Sequence, residues 1–172
     1  WYCYSTERQS THRRNKLMIV ISHRGNIDGP NKNLENKESS IQQVIDKGHL
    51  CEVDVWRINE YLFLSHDFPP ADQHPVNFEY FQERRHNLII HCKNIEALQF
   101  FQSRHEESFH YFWHETDDYT VTSHGWIWAY PGKNVITNLR SISVAVLPET
   151  VEPFDVNNFS AVCTDYLAKY NT

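Results

Sequence analysis

LMIVISHRGN, residues 17–26, sets the reading of the chain: an apolar run without alternation stops at a histidine, an arginine and a glycine. A strand that is apolar at every position has both faces covered, as in a parallel sheet flanked by helices. From this run onward, short apolar stretches alternate with amphipathic ones, which predicts an α/β domain. Ile41, Val44 and Ile45 recur at helical spacing, with Asn36 placed to cap that helix and Gly48 to end it in a left-handed turn. LCEVDVW (50–56) and YLFLSHD (61–67) read as extended, residues 78–84 as a short helix and LIIHCK (88–93) as a strand. NIEALQFFQSR (94–104) reads as a helix capped by Asn94, with Glu96 in its first turn. FHYFW, GWIWAY, SISVAVL and FSAVC follow as further strands. The first two are too close together for a helical crossover, so either bare loops connect some strands or the sheet is incomplete.

Length and composition narrow the class. A chain of 172 residues, 40% hydrophobic and 14% aromatic, has the makings of one folded domain. Residues 17–172 are read as that domain. Residues 1–16, polar and ending in a basic cluster just before Met18, are set aside as an extension or tag. A formal charge of −6 argues against broad nucleic-acid binding, which needs surplus Lys and Arg. No apolar stretch is long enough to span a bilayer and no secretion signal opens the chain. Cys3, Cys51, Cys92 and Cys163 are widely spaced, the last three within apolar runs. They predict buried reduced thiols and a cytoplasmic setting. Nothing in the sequence bears on oligomeric state.

Reactive side chains gather at the carboxyl ends of the expected strands. His23 and Arg24 close the first; Glu52 and Asp54 lie two apart in the second and share a face; His66, Asp67 and Lys93 end later runs. That edge is where α/β folds build their sites. Paired carboxylates can hold a hard cation against a phosphate, two imidazoles can divide proton removal and delivery, and Arg24 and Lys93 can steady phosphate oxygens. Metal-assisted attack on a phosphodiester is the chemistry this suggests.

HRG (23–25), LEN (34–36), EVDV (52–55) and HD (66–67), in this order and with a matching interval from Glu52 to His66, resemble the glycerophosphodiester phosphodiesterase family, with fainter echoes in LIIHCK and AVCTDY. The resemblance implies a TIM (β/α) barrel of the phospholipase-C-like type, shortened or incomplete here because such barrels usually need about 250 residues. It implies His23 and His66 as general acid and base, Glu52 and Asp54 as metal ligands, and a supporting role for Glu35. The family's third metal-binding glutamate is replaced by His91. The cofactor expected is a divalent ion, Mg²⁺ or Ca²⁺, with Mn²⁺ or Zn²⁺ admitted by the imidazole. The substrate expected is a glycerophosphodiester or another small phosphodiester. A barrel that binds phosphate esters without turnover is the alternative.

Plainer readings stand beside these. His23 and His66 serve equally as hydrogen-bonded strand ends, Glu52 and Asp54 as the wet face of an edge strand, and His91 as a core residue. FWHETDDY (112–119) reads as a solvated acidic loop or as a source of a further ligand. Trp126, Trp128 and Tyr130 share a face, as core packing or as a substrate wall. Glu149 and Asp165 follow strands near the same rim, with no role assigned.

Overall fold

Ile19–His23 forms strand β1 and Leu50–Ile58 forms β2, joined through helix α1, Glu38–Asp46, in a succession of strand, helix and parallel strand. The computed structural model describes residues 18–135 and 142–171, so the supposed extension, residues 1–16, and Cys3 lie outside the described residues. Gly48 ends α1 at φ +82°, as its position in the sequence predicts. Asn36 does not cap this helix. Lys37 occupies the cap position without a side-chain bond, and Asn36, itself left-handed at φ +57°, turns inward to Asp54. A buried carboxylate has the stronger claim on an amide than helix N–H groups that water can reach.

Strand β3, Tyr61–Leu64, folds back on β2 as an antiparallel hairpin. Its return lets Ser65 N–H donate to Asp54 O at 3.1 Å, which delivers His66 to the sheet edge. Helix α2, Phe78–Arg84, takes the bounds expected of it, strand β4, Leu88–Cys92, and helix α3, Ile95–Gln102, fall within the stretches expected to form them, and Asn94 caps α3 by accepting from Ala97 N–H. The compressed second half then supplies β5 (Tyr111–Trp113), β6 (Tyr119–Val121), β7 (Ile127–Ala129), β8 (Ser143–Val146), β9 (Ala161–Thr164) and the short helix α4 (Leu167–Tyr170). Two 3-10 turns, Pro148–Thr150 and Val156–Asn158, replace a helix between β8 and β9. The acidic stretch 112–119 thus leads into an unanticipated strand, β6.

Among the described residues, all nine strands belong to one sheet, in the order β5-β4-β2-β1-β9-β8-β7-β6 with β3 attached to β2. Pairings along this path are parallel except β6 with β7. Strands β5 and β6 approach each other at the ends of the path, where Ser123 N–H donates to Tyr111 O at 2.8 Å and the Thr120 hydroxyl to Trp113 O at 2.9 Å. The product is a nearly closed, barrel-shaped eight-strand sheet.

Alternation along the strands sorts the apolar residues into two cores. Ile21, Ile89, Phe112, Trp128, Val144, Ala161 and Cys163 meet inside the barrel. On the outer face, Val53, Val55, Ile90 and Val162 pack with Ile41 and Val44 of α1, Phe81 of α2 and Phe101 of α3. Cys51, Cys92 and Cys163 are buried and free, as expected. Among the described residues, no helix is long and apolar enough to cross a membrane.

Candidate functional site

Strand parity carries the inner core upward into polar residues. Ile19 and Ile21 are followed on the same face of β1 by His23, Leu50 on β2 by Glu52 and Asp54, and Ile89 on β4 by His91. Register then sets His23 beside Glu52 and Asp54 beside His91. Residues from separate parts of the chain therefore converge at the carboxyl ends of β1, β2 and β4. His23, Arg24, Glu52, His66, His91 and Lys93 line one cavity of about 310 Å³.

The backbone after β1 is shaped to allow this. Arg24 is left-handed at φ +56°, and its N–H donates to Glu52 O at 2.9 Å. Gly25 follows at φ +86°, where an added Cβ would lie 3.2 Å from Ser40 Cβ and 3.3 Å from Ile41 N. A side chain there would meet both an unfavourable φ and the start of α1.

Asp54 is fully buried, so its charge must be matched locally. Oδ2 takes Arg24 Nε at 2.9 Å and Asn36 Nδ2 at 3.0 Å, while Oδ1 faces His91 Nδ1 at 3.0 Å and Lys93 Nζ at 3.5 Å. Asp54 N–H also donates to Asn36 Oδ1 at 3.0 Å. Burial alone would raise this carboxyl. The His91 hydrogen bond and the charges of Arg24 and Lys93 outweigh burial and hold it well below the usual carboxylate range. Glu52 goes the other way. Burial and the neighbouring Asp54 charge raise it, against partial relief from His23, His91 and Arg24. The ionised form of Glu52 is therefore disfavoured as the site stands, and a cation would favour it.

His91 completes the cluster. Its Nε2 lies 3.0 Å from His114 O, and a carbonyl only accepts, so the proton sits on Nε2. Nδ1 faces Asp54 Oδ1 at 3.0 Å and Glu52 Oε1 at 3.7 Å. There it either donates a proton to Asp54 or offers its lone pair to an ion. One ligand atom from each of Glu52, Asp54 and His91 lies within 4.8 Å of the others. That spread suits a divalent ion, whose ligands sit roughly 2.0–2.6 Å away.

His23 is held by Asp165, from just beyond β9. Asp165 Oδ1 meets His23 Nδ1 at 2.8 Å and accepts from Asn26 Nδ2 at 2.8 Å. Burial lowers the imidazole, but the Asp165 hydrogen bond and the Glu52 charge prevail and raise it above its ordinary value. Asp165 moves oppositely: burial would raise it, and the bonds from His23 and Asn26 draw it down. Glu149 Oε1 anchors this acid by accepting from Asp165 N–H at 2.9 Å and the Thr164 hydroxyl at 2.8 Å. Glu35, the expected supporting residue, accepts from Arg24 Nη1 at 3.3 Å and Asn26 Nδ2 at 3.2 Å. His66 is the most open member, 46% exposed, with Nδ1 against Asp67 Oδ1 at 2.9 Å.

Of the residues predicted from sequence, His23, Arg24, Glu52, His66, His91 and Lys93 line this cavity, Asp54 is fully buried against Arg24, His91 and Lys93, and Glu35 lines a neighbouring cavity where it holds Arg24. Two partners were missed. Asn36 was read as a helix cap, and Asp165 had no role. The available signal for Asp165 was parity, since it continues the inward face of Ala161 and Cys163. The rest of the cavity wall is largely aromatic, from Phe112, Trp113, His114, Trp128 and Tyr130, with Glu115 and the aliphatic Val146 and Leu147 beside them. Trp128 is also part of the inner core, and Trp126 packs lower, edge-on to His110. No family model, curated protein or solved structure matches this chain.

Proposed function

We propose that the chain is a divalent-metal-dependent phosphodiesterase on a shortened barrel of the phospholipase-C-like type, acting on a glycerophosphodiester or another small phosphodiester. The observation that carries this reading is one cavity lined by His23, Glu52, His66 and His91, with buried Asp54 placing a ligand atom within 4.8 Å of those of Glu52 and His91. A bound divalent ion, held by those three residues, supplies positive charge to offset that of the phosphate. His23 and His66 divide the proton work. Nδ1 of His66 is engaged by Asp67, which leaves Nε2 to take a proton from the attacking water as its oxygen bonds to phosphorus. His23, oriented by Asp165 behind it, gives a proton to the oxygen that departs when the second P–O bond breaks. Lys93 and the free edge of Arg24 steady the phosphate oxygens, and the wall of Trp113, Trp128 and Tyr130 receives one ester arm.

The alternative, a phosphate-ester-binding barrel without turnover, draws on one observation: Asp54 is already matched by Arg24, His91 and Lys93. Hydrolysis of an aryl phosphodiester, followed with chelator and with added Mg²⁺, Mn²⁺ or Ca²⁺, separates the two. The enzyme requires chelator-sensitive turnover that falls by roughly 10²-fold or more in both His23→Ala and His66→Ala. Saturable ester binding with no turnover under any ion supports the binding barrel instead.

A further inference from the structure

We infer that the Glu52, Asp54 and His91 cluster is built to select a first-row transition ion of the Mn²⁺ or Zn²⁺ kind over Mg²⁺ or Ca²⁺. The inference rests on the reading that this cluster holds an ion, and concerns which ion it holds.

The first ground is the number of oxygens on offer. Asp54 Oδ2 is occupied by Arg24 Nε at 2.9 Å and Asn36 Nδ2 at 3.0 Å, so only Oδ1 is turned to the cluster. Glu52 Oε2 is turned to Arg24 N–H at 3.3 Å, and Oε1 is the atom nearest His91. Each carboxylate therefore gives one oxygen. Ca²⁺ collects roughly six to eight oxygens and favours bidentate carboxylates, and two single oxygens serve it poorly.

The second ground is the nitrogen and how firmly it is aimed. The His91 ring lies flat on Phe112, with centroids 4.7 Å apart and planes 8° from parallel. Its Nε2–H is held by His114 O at 3.0 Å. A ring fixed on one face and at one nitrogen has a single direction left for Nδ1, toward Asp54 Oδ1 and Glu52 Oε1. A backbone carbonyl on the far nitrogen is the usual outer support of a metal-binding histidine, which sets the tautomer and strengthens the donor. Imidazole suits Mn²⁺, Zn²⁺ and their neighbours, whereas Mg²⁺ and Ca²⁺ prefer oxygen. A histidine placed only to pair with Asp54 would not need this aim at Glu52 as well.

Ion binding without substrate tests this. Protein freed of metal is titrated calorimetrically with Mn²⁺, Mg²⁺ and Ca²⁺, and the Mn²⁺ complex is examined by electron spin-echo modulation, which reports nitrogen bound directly to the ion. Expected are Mn²⁺ binding at least tenfold tighter than Mg²⁺ or Ca²⁺, and a nitrogen modulation that disappears in His91→Gln. His91→Glu, which supplies a third carboxylate, should narrow the Mn²⁺ to Mg²⁺ preference by at least tenfold. Circular dichroism identifies a variant that has not folded, and the unmodified protein's nitrogen signal decides the matter without either variant. Bound Mn²⁺ lacking nitrogen modulation, or a preference unchanged in folded His91→Glu, overturns the inference. No ion binding at all overturns it together with the metal-dependent mechanism. Selective, nitrogen-ligated binding without turnover on any phosphodiester leaves it intact and sinks the phosphodiesterase reading alone.

Discussion

Asp165 reaches His23 across 142 positions of sequence and takes up Nδ1, so that Nε2 is the nitrogen the proposed proton transfer would use. Asp165→Asn keeps the shape but removes the charge. Activity should fall by roughly 10- to 100-fold, a part of the roughly 10²–10⁴ that a positioned acid or base contributes. The Asp165 bond raises the His23 imidazole against burial, so its loss lowers it, and the alkaline limb of kcat/KM should move to lower pH. A profile unchanged in position would remove Asp165 from this role. His110, near the amino end of β5, offers a separate test through stability. Burial and the stacked His124 ring, 4.3 Å away, push it down to about 3 from an ordinary 6.5. Its other neighbours, the Thr122 hydroxyl and the Trp126 indole, supply no negative charge. Protons therefore bind the unfolded chain more readily. This contribution to stability is complete above pH 6.5 and is lost as pH falls from there toward 3. Urea midpoints measured across that interval should drop less steeply in His110→Gln than in the unmodified protein.

Two asparagines that precede helices show what a local pattern can and cannot convey. Asn94 accepts from Ala97 N–H, three positions on, at 3.1 Å, which the helix signature predicts. It also accepts from Arg57 N–H at 3.1 Å and donates to Arg57 O at 2.7 Å, and so ties α3 to the end of β2. Asn94→Ala should cost about 2–3 kcal/mol, the cap plus the stranded Arg57 groups, measured as a lower denaturant midpoint. Asn36 has the same look in sequence, yet its partner Asp54 lies 18 positions ahead. No rule confined to neighbouring residues finds such a partner. The strands β1, β2, β4 and β9 were legible because their apolar runs are buried on both faces, whereas β6 is three residues long and its Tyr119 and Val121 are exposed, too short a pattern to stand out beside an acidic stretch. His23, Glu52, Asp54 and His66 were legible for another reason: motif order and strand parity both place them at one edge.

The ring of strands is strongest where β1, β2 and β4 lie and weakest between β5 and β6, which are joined by scattered bonds through Ser123 and Thr120. Amide exchange should accordingly be fastest at residues 119–121 and slowest at the buried Val53 and Ile90, with exchange of uniform rate throughout counting against a seam. Closure of the sheet was not readable from the chain, because no ladder marks it and a three-residue strand runs against its neighbour there. The pairing of β1 with β9 has a consequence for synthesis. Ile19 to Ser22 must wait for Ala161 to Thr164 before their second edge is covered. A ribosome that has delivered the chain only as far as β8 has therefore made a cluster of acids and histidines in which His23 still lacks Asp165, and the arrangement around that imidazole is assembled only when β9 docks.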